Sequence, residues 1–152
     1  MHLNAPAVAV RNPIARLGAN ADSQGAIRLA VGPGAAARAI ARTRRFAEAA
    51  ALPEASAHRL AIVVEEWINN IVEHGQAPAG SLVVFRLEQA RGQVRVHFSD
   101  AGRAFDPRQA RNRGPNLQRG GGAGLALIAG WCEIEAYRRG RGRNRLVLRL
   151  KS

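Results

Sequence analysis

Apolar positions divide the chain into two halves of different rhythm. Ile27 to Val31 is a short apolar run that predicts a strand, closed by Gly32-Pro33-Gly34. The Ala-rich stretch from Ala35 to Ala51, with Ile40 and Phe46 among its apolar positions, predicts a helix. Pro53 opens a second helix, because proline is tolerated in a first turn, and Gly75 after His74 is a natural stop. Within it Leu60, Val63, Val64, Trp67 and Ile71 recur at helical spacing and predict a buried stripe. The second half is β-branched and alternating. Ser81 to Glu88 and Gln93 to Ser99 read as a hairpin around Ala90-Arg91-Gly92. Asp100 to Gly122 is a long Gly/Pro/Arg/Asn loop, a length that in a compact domain points to function. Gly124 to Trp131 predicts a helix, and Glu133 to Tyr137 with Arg145 to Leu150 a terminal hairpin around Gly140-Arg141-Gly142. Strands joined by tight turns imply a mostly antiparallel sheet with helices on one face, an α+β fold. Residues 1–25 lack periodicity and read as a flexible tail, and 26–152 as a single domain.

A length of 152 residues suits one domain with a substantial core. No apolar run approaches the ~20 residues that span a bilayer, and the start of the chain lacks the basic-then-apolar pattern of a secretory signal. Cys132 alone excludes an intramolecular disulfide and argues against a cysteine zinc site, so a cytoplasmic location is expected. The net charge of +12 is almost all arginine, Lys151 being the single lysine. Clustered arginine would suit a polyanion. Here the arginines scatter, over Arg38 to Arg45, Arg103 to Arg119 and Arg138 to Arg149, with no aromatic-interleaved platform, which argues against nucleic acid. An acidic protein or a nucleotide would use the same field, and a compositional preference for arginine would produce it without any partner.

Three motifs carry candidate chemistry. Glu66, Asn70 and His74 stand at successive i, i+4 positions and form a slowly drifting row beside the apolar stripe, while Glu65 and Asn69 point away from it. A carboxylate and an amide beside a core are half-desolvated and need a partner. An Asn oxygen can complete a Mg²⁺ shell, and a Glu one turn earlier can accept a proton; a solvated helix edge is the plainer reading. Asp100 closes a strand, where its carboxylate can accept from an exocyclic amine. Gly102 clears room for a flat ring, though an Asp turn explains the same residues. Gly120-Gly121-Gly122-Ala123-Gly124-Leu125 runs into an apolar helix whose first N–H groups can face an anion, or it is a hinge. It fits neither a P-loop nor a dinucleotide-binding fingerprint.

In this order the motifs resemble the GHKL ATPases, the superfamily of gyrase, the heat-shock chaperone, histidine kinases and mismatch-repair proteins. Glu66-x-x-x-Asn70 with His74-Gly75 looks like its N box, Asp100-x-Gly102 with Phe105-Asp106-Pro107 like the first glycine box, and Gly120 to Ile128 like the second. The chain is most similar to the anti-sigma-factor serine/threonine kinases of bacterial partner switching, over roughly residues 26–150. That resemblance implies a two-layer α/β sandwich that binds ATP and Mg²⁺. Glu66 would be the base, Asn70 the metal ligand, Asp100 the adenine contact and Gly102 part of the base pocket. Phe105, Gly120, Gly121, Gly122, Ala123, Gly124 and Leu125 would complete the nucleotide site, with Arg108 to Arg119 as a lid. It also implies an anti-anti-sigma (STAS-type) partner, a sigma factor and a homodimer. A non-catalytic ATP-dependent switch that binds proteins is the alternative. Trp67 and Ile68 are bulkier than the small or hydroxylated residues expected there, and Ala123 is smaller than the usual apolar residue.

Overall fold

A computed structural model describes residues 25–110 and 122–152. In chain order the elements are β1 (Ile27–Ala30), α1 (Ala35–Ala49), α2 (Glu54–His74), β2 (Leu82–Ala90), β3 (Gln93–Asp100), the short α3 (Pro107–Ala110), α4 (Ala123–Trp131), β4 (Cys132–Gly140) and β5 (Arg143–Leu150). The strands form one sheet in the order β1-β2-β3-β5-β4, each neighbouring pair antiparallel. The sequence pattern predicts each of the longer elements. The differences lie at the ends. Strands β4 and β5 extend further toward their shared turn than apolar alternation predicts, because the ladder also pairs Arg138 with Arg145 and Arg139 with Asn144. Backbone pairing, which side-chain polarity does not report, carries them there. Both hairpins turn on an Arg-Gly pair at positive φ, 52° and 73° at Arg91-Gly92 and 52° and 72° at Arg141-Gly142, the two-residue geometry that matches strand twist. The long loop after Asp100 contains α3, and residues 111–121 of it lie outside the described residues, as do 1–24 of the expected tail.

One face of the sheet makes the core. Phe85 of β2, Phe98 of β3 and Leu146 and Leu148 of β5 meet Leu60, Val63, Val64, Trp67 and Ile71 of α2, and Ile68 joins them. The Trp67 ring is 6.2 Å from that of Phe98, so the bulk that departs from the expected N box is spent in the core. Truncation of such a buried aromatic costs about 3–5 kcal/mol. Helix α2 packs between α1 and α4. Lys151 donates from Nζ to the carbonyls of Ala129 (3.0 Å) and Gly130 (3.2 Å), a cation at the C-terminal end of α4 where the helix dipole favours it.

The opposite face is charged. Arg86 pairs with Glu88 at 3.0 Å and Arg95 with Glu135 at 2.7 Å, and Arg149 bridges Glu133 and Glu135. His97 is buried among these groups, 3.2 Å from Glu88, and burial holds its pKa below the ordinary histidine value, with the Arg86 charge adding to the effect. Buried Cys132 has its thiol pushed up to about 12 by desolvation, the behaviour of an inert packing thiol.

Gly75 ends α2 in a way the sequence misplaces. Its φ is −70°, so left-handed freedom is not the reason for glycine; Gln76 is the left-handed residue, at φ 51°. A Cβ at Gly75 would collide with the Ile71 carbonyl. Closeness of approach selects the glycine.

Candidate functional site

Strand β3, at the centre of the sheet, delivers Asp100 at its C-terminal end to the core side, where it is buried. Its Oδ1 accepts from the Gly102 N–H (2.9 Å) and from Asn144 Nδ2 (3.0 Å). The antiparallel register places Asn144 directly opposite Asp100. Asn144 also donates from Nδ2 to the Arg103 carbonyl (2.8 Å), and its Oδ1 accepts from the Tyr137 hydroxyl (2.8 Å) and Arg139 (2.9 Å). Arg139 reaches the Gly102 carbonyl at 2.8 Å, and the Tyr137 hydroxyl accepts from the Phe105 N–H at 3.1 Å. One amide therefore fixes the orientation of the carboxylate and the path of the following loop. Asp100 Oδ2 takes none of these bonds and is the atom left to accept from a ligand donor, as an exocyclic amine requires.

The loop after β3 is also tied to the end of α2. Arg103 N–H donates to the Gly75 carbonyl at 2.7 Å, and a Cβ at Gly102 would lie 2.7 Å from that same oxygen. The two segments can be this close because neither has a side chain. Phe105 packs its ring 6.1 Å from Trp67.

At the other end, α2 meets α4. The Glu66 carboxylate rests against Gly124, where a Cβ would overlap Glu66 Oε2. Gly122 caps α4 with no side-chain hydrogen bond, and no acidic residue occupies the first turn, so its leading N–H groups are available to an anion. Asn70 lies one turn along α2 between the two contacts, half-buried. Glu65 and Asn69 are half-buried too, so burial does not separate the two rows; the contact with Gly124 does. Ala123 is exposed, and Leu125 packs against the core. Gly120 and Gly121 lie outside the described residues.

Helix α2 thus touches both glycine segments, Gly102 through Gly75 and Gly124 through Glu66, and brings the three motifs to one place. Of the expected lid arginines, Arg108 is engaged: it grips Asp106 with distances down to 2.7 Å and holds that carboxyl below its ordinary pKa. Arg111, Arg113 and Arg119 lie outside the described residues. Asn144, Tyr137 and Arg139 are the residues that sequence reasoning missed. The available signal was alternation: Leu146, Leu148 and Leu150 face inward, and one step back along the same parity is Asn144, a polar residue on the core side.

Among the described residues no group of three or more His, Cys, Asp or Glu side chains could hold a metal ion. A donor set of one amide oxygen fits a Mg²⁺ held mainly by phosphates and water. The absence of a side chain at Gly102 and the uncapped start of α4 fit a nucleotide laid from the end of β3 to the helix.

Residues 29–150 match the family described as the histidine kinase-like ATPase domain, and the chain belongs to that family. It is 35% identical over 96 residues to the serine/threonine-protein kinase BtrW of Bordetella bronchiseptica, a stretch that covers 59% of this chain and 66%, just under two thirds, of that protein. Among solved structures it is similar to the RsbU and RsbW domains of a Mycobacterium tuberculosis protein, with a TM-score of 0.55 at 19% identity, covering 83% of this chain and 32% of that one. It is also similar to the SiaB-SiaC complex from Pseudomonas aeruginosa, with a TM-score of 0.53 at 14% identity, covering 82% of this chain and 88% of that one. At such identities these likenesses speak for the fold, an α+β domain with a five-stranded antiparallel sheet. No helix among the described residues is long and apolar enough to cross a membrane.

Proposed function

We propose that this domain is a Mg²⁺- and ATP-dependent serine/threonine kinase of the anti-sigma type. It phosphorylates an anti-anti-sigma (STAS-type) partner in the cytoplasm and sequesters a sigma factor once that partner is phosphorylated, acting as a homodimer. The observation that supports this most is the double contact of α2, which sets Glu66 beside the start of α4 and the turn after Asp100 against the C-terminal end of α2. The name carried by BtrW supports the reaction type, and the assembly of SiaB with SiaC supports a protein partner.

In this reading Asp100 Oδ2 accepts from the adenine amine, and Gly102 leaves space for the ring. Asn70 would hold Mg²⁺ through its side-chain oxygen, and the ion would offset phosphate charge. The N–H groups at Gly122 and Gly124 receive phosphate oxygens. Glu66 takes the proton from the partner's serine or threonine hydroxyl as that oxygen bonds to the γ-phosphorus and the bond to ADP breaks. General-base help of this kind contributes about 10²–10⁴-fold.

Transfer of labelled γ-phosphate to a purified STAS-type protein tests the proposal. Glu66→Gln should retain ATP binding and lose transfer by about 100-fold or more. Transfer at the unaltered rate would remove Glu66 from the chemistry. If ATP changes partner affinity and Asp100→Ala abolishes that change, while no phosphorylated partner ever forms, the domain is the non-catalytic switch.

A further inference from the structure

The outer face of the sheet is two surfaces. Toward the β2–β3 turn its charges are paired, with Glu88, Glu133 and Glu135 against Arg86, Arg95 and Arg149. Toward the β4–β5 turn Arg138, Arg143 and Arg145 meet no carboxylate among the described residues. The strand register sets Arg28, Val84, Ser99, Arg145 and Arg138 side by side across all five strands, on the face away from the helices. Arg143 follows one step along β5. Among the described residues no carboxylate faces outward at this end. The nearest, Asp100, points to the core and is bound by Gly102 and Asn144.

Arg143 is fixed, not free-swinging. It donates to Ser99 Oγ at 2.8 Å, the Ser99 carbonyl at 2.9 Å and the Leu82 carbonyl at 3.0 Å. Burial lowers its pKa from the ordinary value, Asp100 opposes that, and the Arg145 and Arg28 charges add to it, so these cations share one field. Next to them is Leu82, 38% exposed and the one large hydrophobic side chain exposed among the described residues. Helix α1 carries Arg38, Arg42, Arg44 and Arg45 on its solvent side, but offers no exposed large apolar side chain and includes Glu48. A fixed guanidinium, Arg143, beside one exposed aliphatic side chain, with Arg145 and Arg138 beyond it on β5 and β4, is the more specific surface.

We propose that this end of the outer face docks an acidic protein segment, whose carboxylates meet Arg138, Arg143 and Arg145 and whose apolar side chain covers Leu82. Uncompensated charge steers an anionic partner, and arginine forks suit carboxylates. Nucleic acid is the poorer fit, since the patch adds Leu82 and Val84 to its cations and has no aromatic face for a base. The position adds a consequence. Arg143 and Asn144 are neighbours facing opposite sides of β5, so the docked segment sits directly behind the Asp100–Asn144 pair. The surface does not require phosphoryl transfer.

The test measures binding of the full chain to three fluorescent probes: a short peptide repeating Glu-Glu-Leu, polyglutamate of equal length, and a short DNA duplex. The Glu-Glu-Leu peptide should bind tightest, and the double change Arg138→Glu and Arg145→Glu should weaken it by about tenfold or more. Leu82→Ser should erase its advantage over polyglutamate. The charge-matched pair Arg42→Glu and Arg45→Glu on α1 should change binding by less than about threefold. ATP affinity and melting temperature, unchanged in the variants, certify folding; should the double variant melt early, Arg138→Glu alone, at an exposed side chain, should still weaken the peptide by about threefold. Preference for DNA, equal weakening by the α1 pair, an advantage that survives Leu82→Ser, or no peptide binding at all would overturn the proposal.

Discussion

The two ends of the candidate nucleotide site are built on opposite principles. At the Asp100 end, one buried amide, Asn144, receives two hydrogen bonds and makes its own to the Asp100 carboxylate and the following loop. At the α4 end almost nothing is tied: a glycine cap without a side-chain hydrogen bond, and a carboxylate lying against Gly124. The first end is rigid before any ligand arrives, which lowers the ordering cost of binding a flat, hydrogen-bonding group. The second presents backbone donors, which take up phosphate oxygens without a fixed side-chain frame. The Asp100 end is preorganised in side chains; the α4 end is left to backbone and to whatever a ligand orders.

The sharpest way to break that contrast is to add one methyl group at each end. At Gly102 the new Cβ would sit 2.7 Å from the Gly75 carbonyl and 2.8 Å from Asp100 Oδ1, against backbone and a carboxylate held by two bonds. Neither can yield. Gly102→Ala should cost about 2–3 kcal/mol of stability in urea denaturation. It should also abolish ATP binding by calorimetry. Native-like stability and affinity would mean that the Asp100 end is not rigid.

The same substitution at Gly124 meets a different obstacle, the far end of the Glu66 side chain. A flexible carboxylate can swing away, so Gly124→Ala should stay within about 1 kcal/mol of the unaltered stability. The displaced base should nevertheless lower phosphoryl transfer by about 100-fold, while ATP affinity falls by much less. A variant that loses ATP binding as much as transfer would show that the methyl group disturbs the phosphate contacts of Gly122 and Gly124, and the effect on transfer would then say nothing for Glu66.

The fold was largely legible because its elements announce themselves by period. Every member of the stripe Leu60, Val63, Val64, Trp67 and Ile71 is buried, and both Arg-Gly turns fall where glycine interrupts alternation. The candidate site was legible only where residues cluster along the chain: Glu66 and Asn70 on one helix, Asp100 and Gly102 on one turn. Asn144 lies 44 residues from Asp100, and nothing local marks it. Its partnership is a product of β3 pairing with β5, and the pairing skips β4, which follows the loop in sequence but takes the sheet edge. Gly75 was legible as a stop and illegible as a contact, because the oxygen it brings to Arg103 and Gly102 belongs to the tertiary fold. The arginine excess was visible in composition, but its division into an ion-paired end and an end where Arg138, Arg143 and Arg145 meet no described carboxylate depends on register.

The smallest expected effects test whether the Asp100 end acts as a unit. Asn144→Ala removes the donors to the loop and to Asp100, leaves the Tyr137 hydroxyl without its acceptor, and leaves Arg139 only the Gly102 carbonyl. ATP affinity should fall by about tenfold, near 1.4 kcal/mol, the scale of one or two net hydrogen bonds. Tyr137→Phe leaves Asn144 its Arg139 donor but strands the Phe105 N–H, so a loss of about threefold is expected. Because both act through the same amide, the double variant should lose little more than Asn144→Ala alone. Full additivity in calorimetric affinities would show two independent contacts, and the orientation of Asp100 would then rest on Gly102 alone.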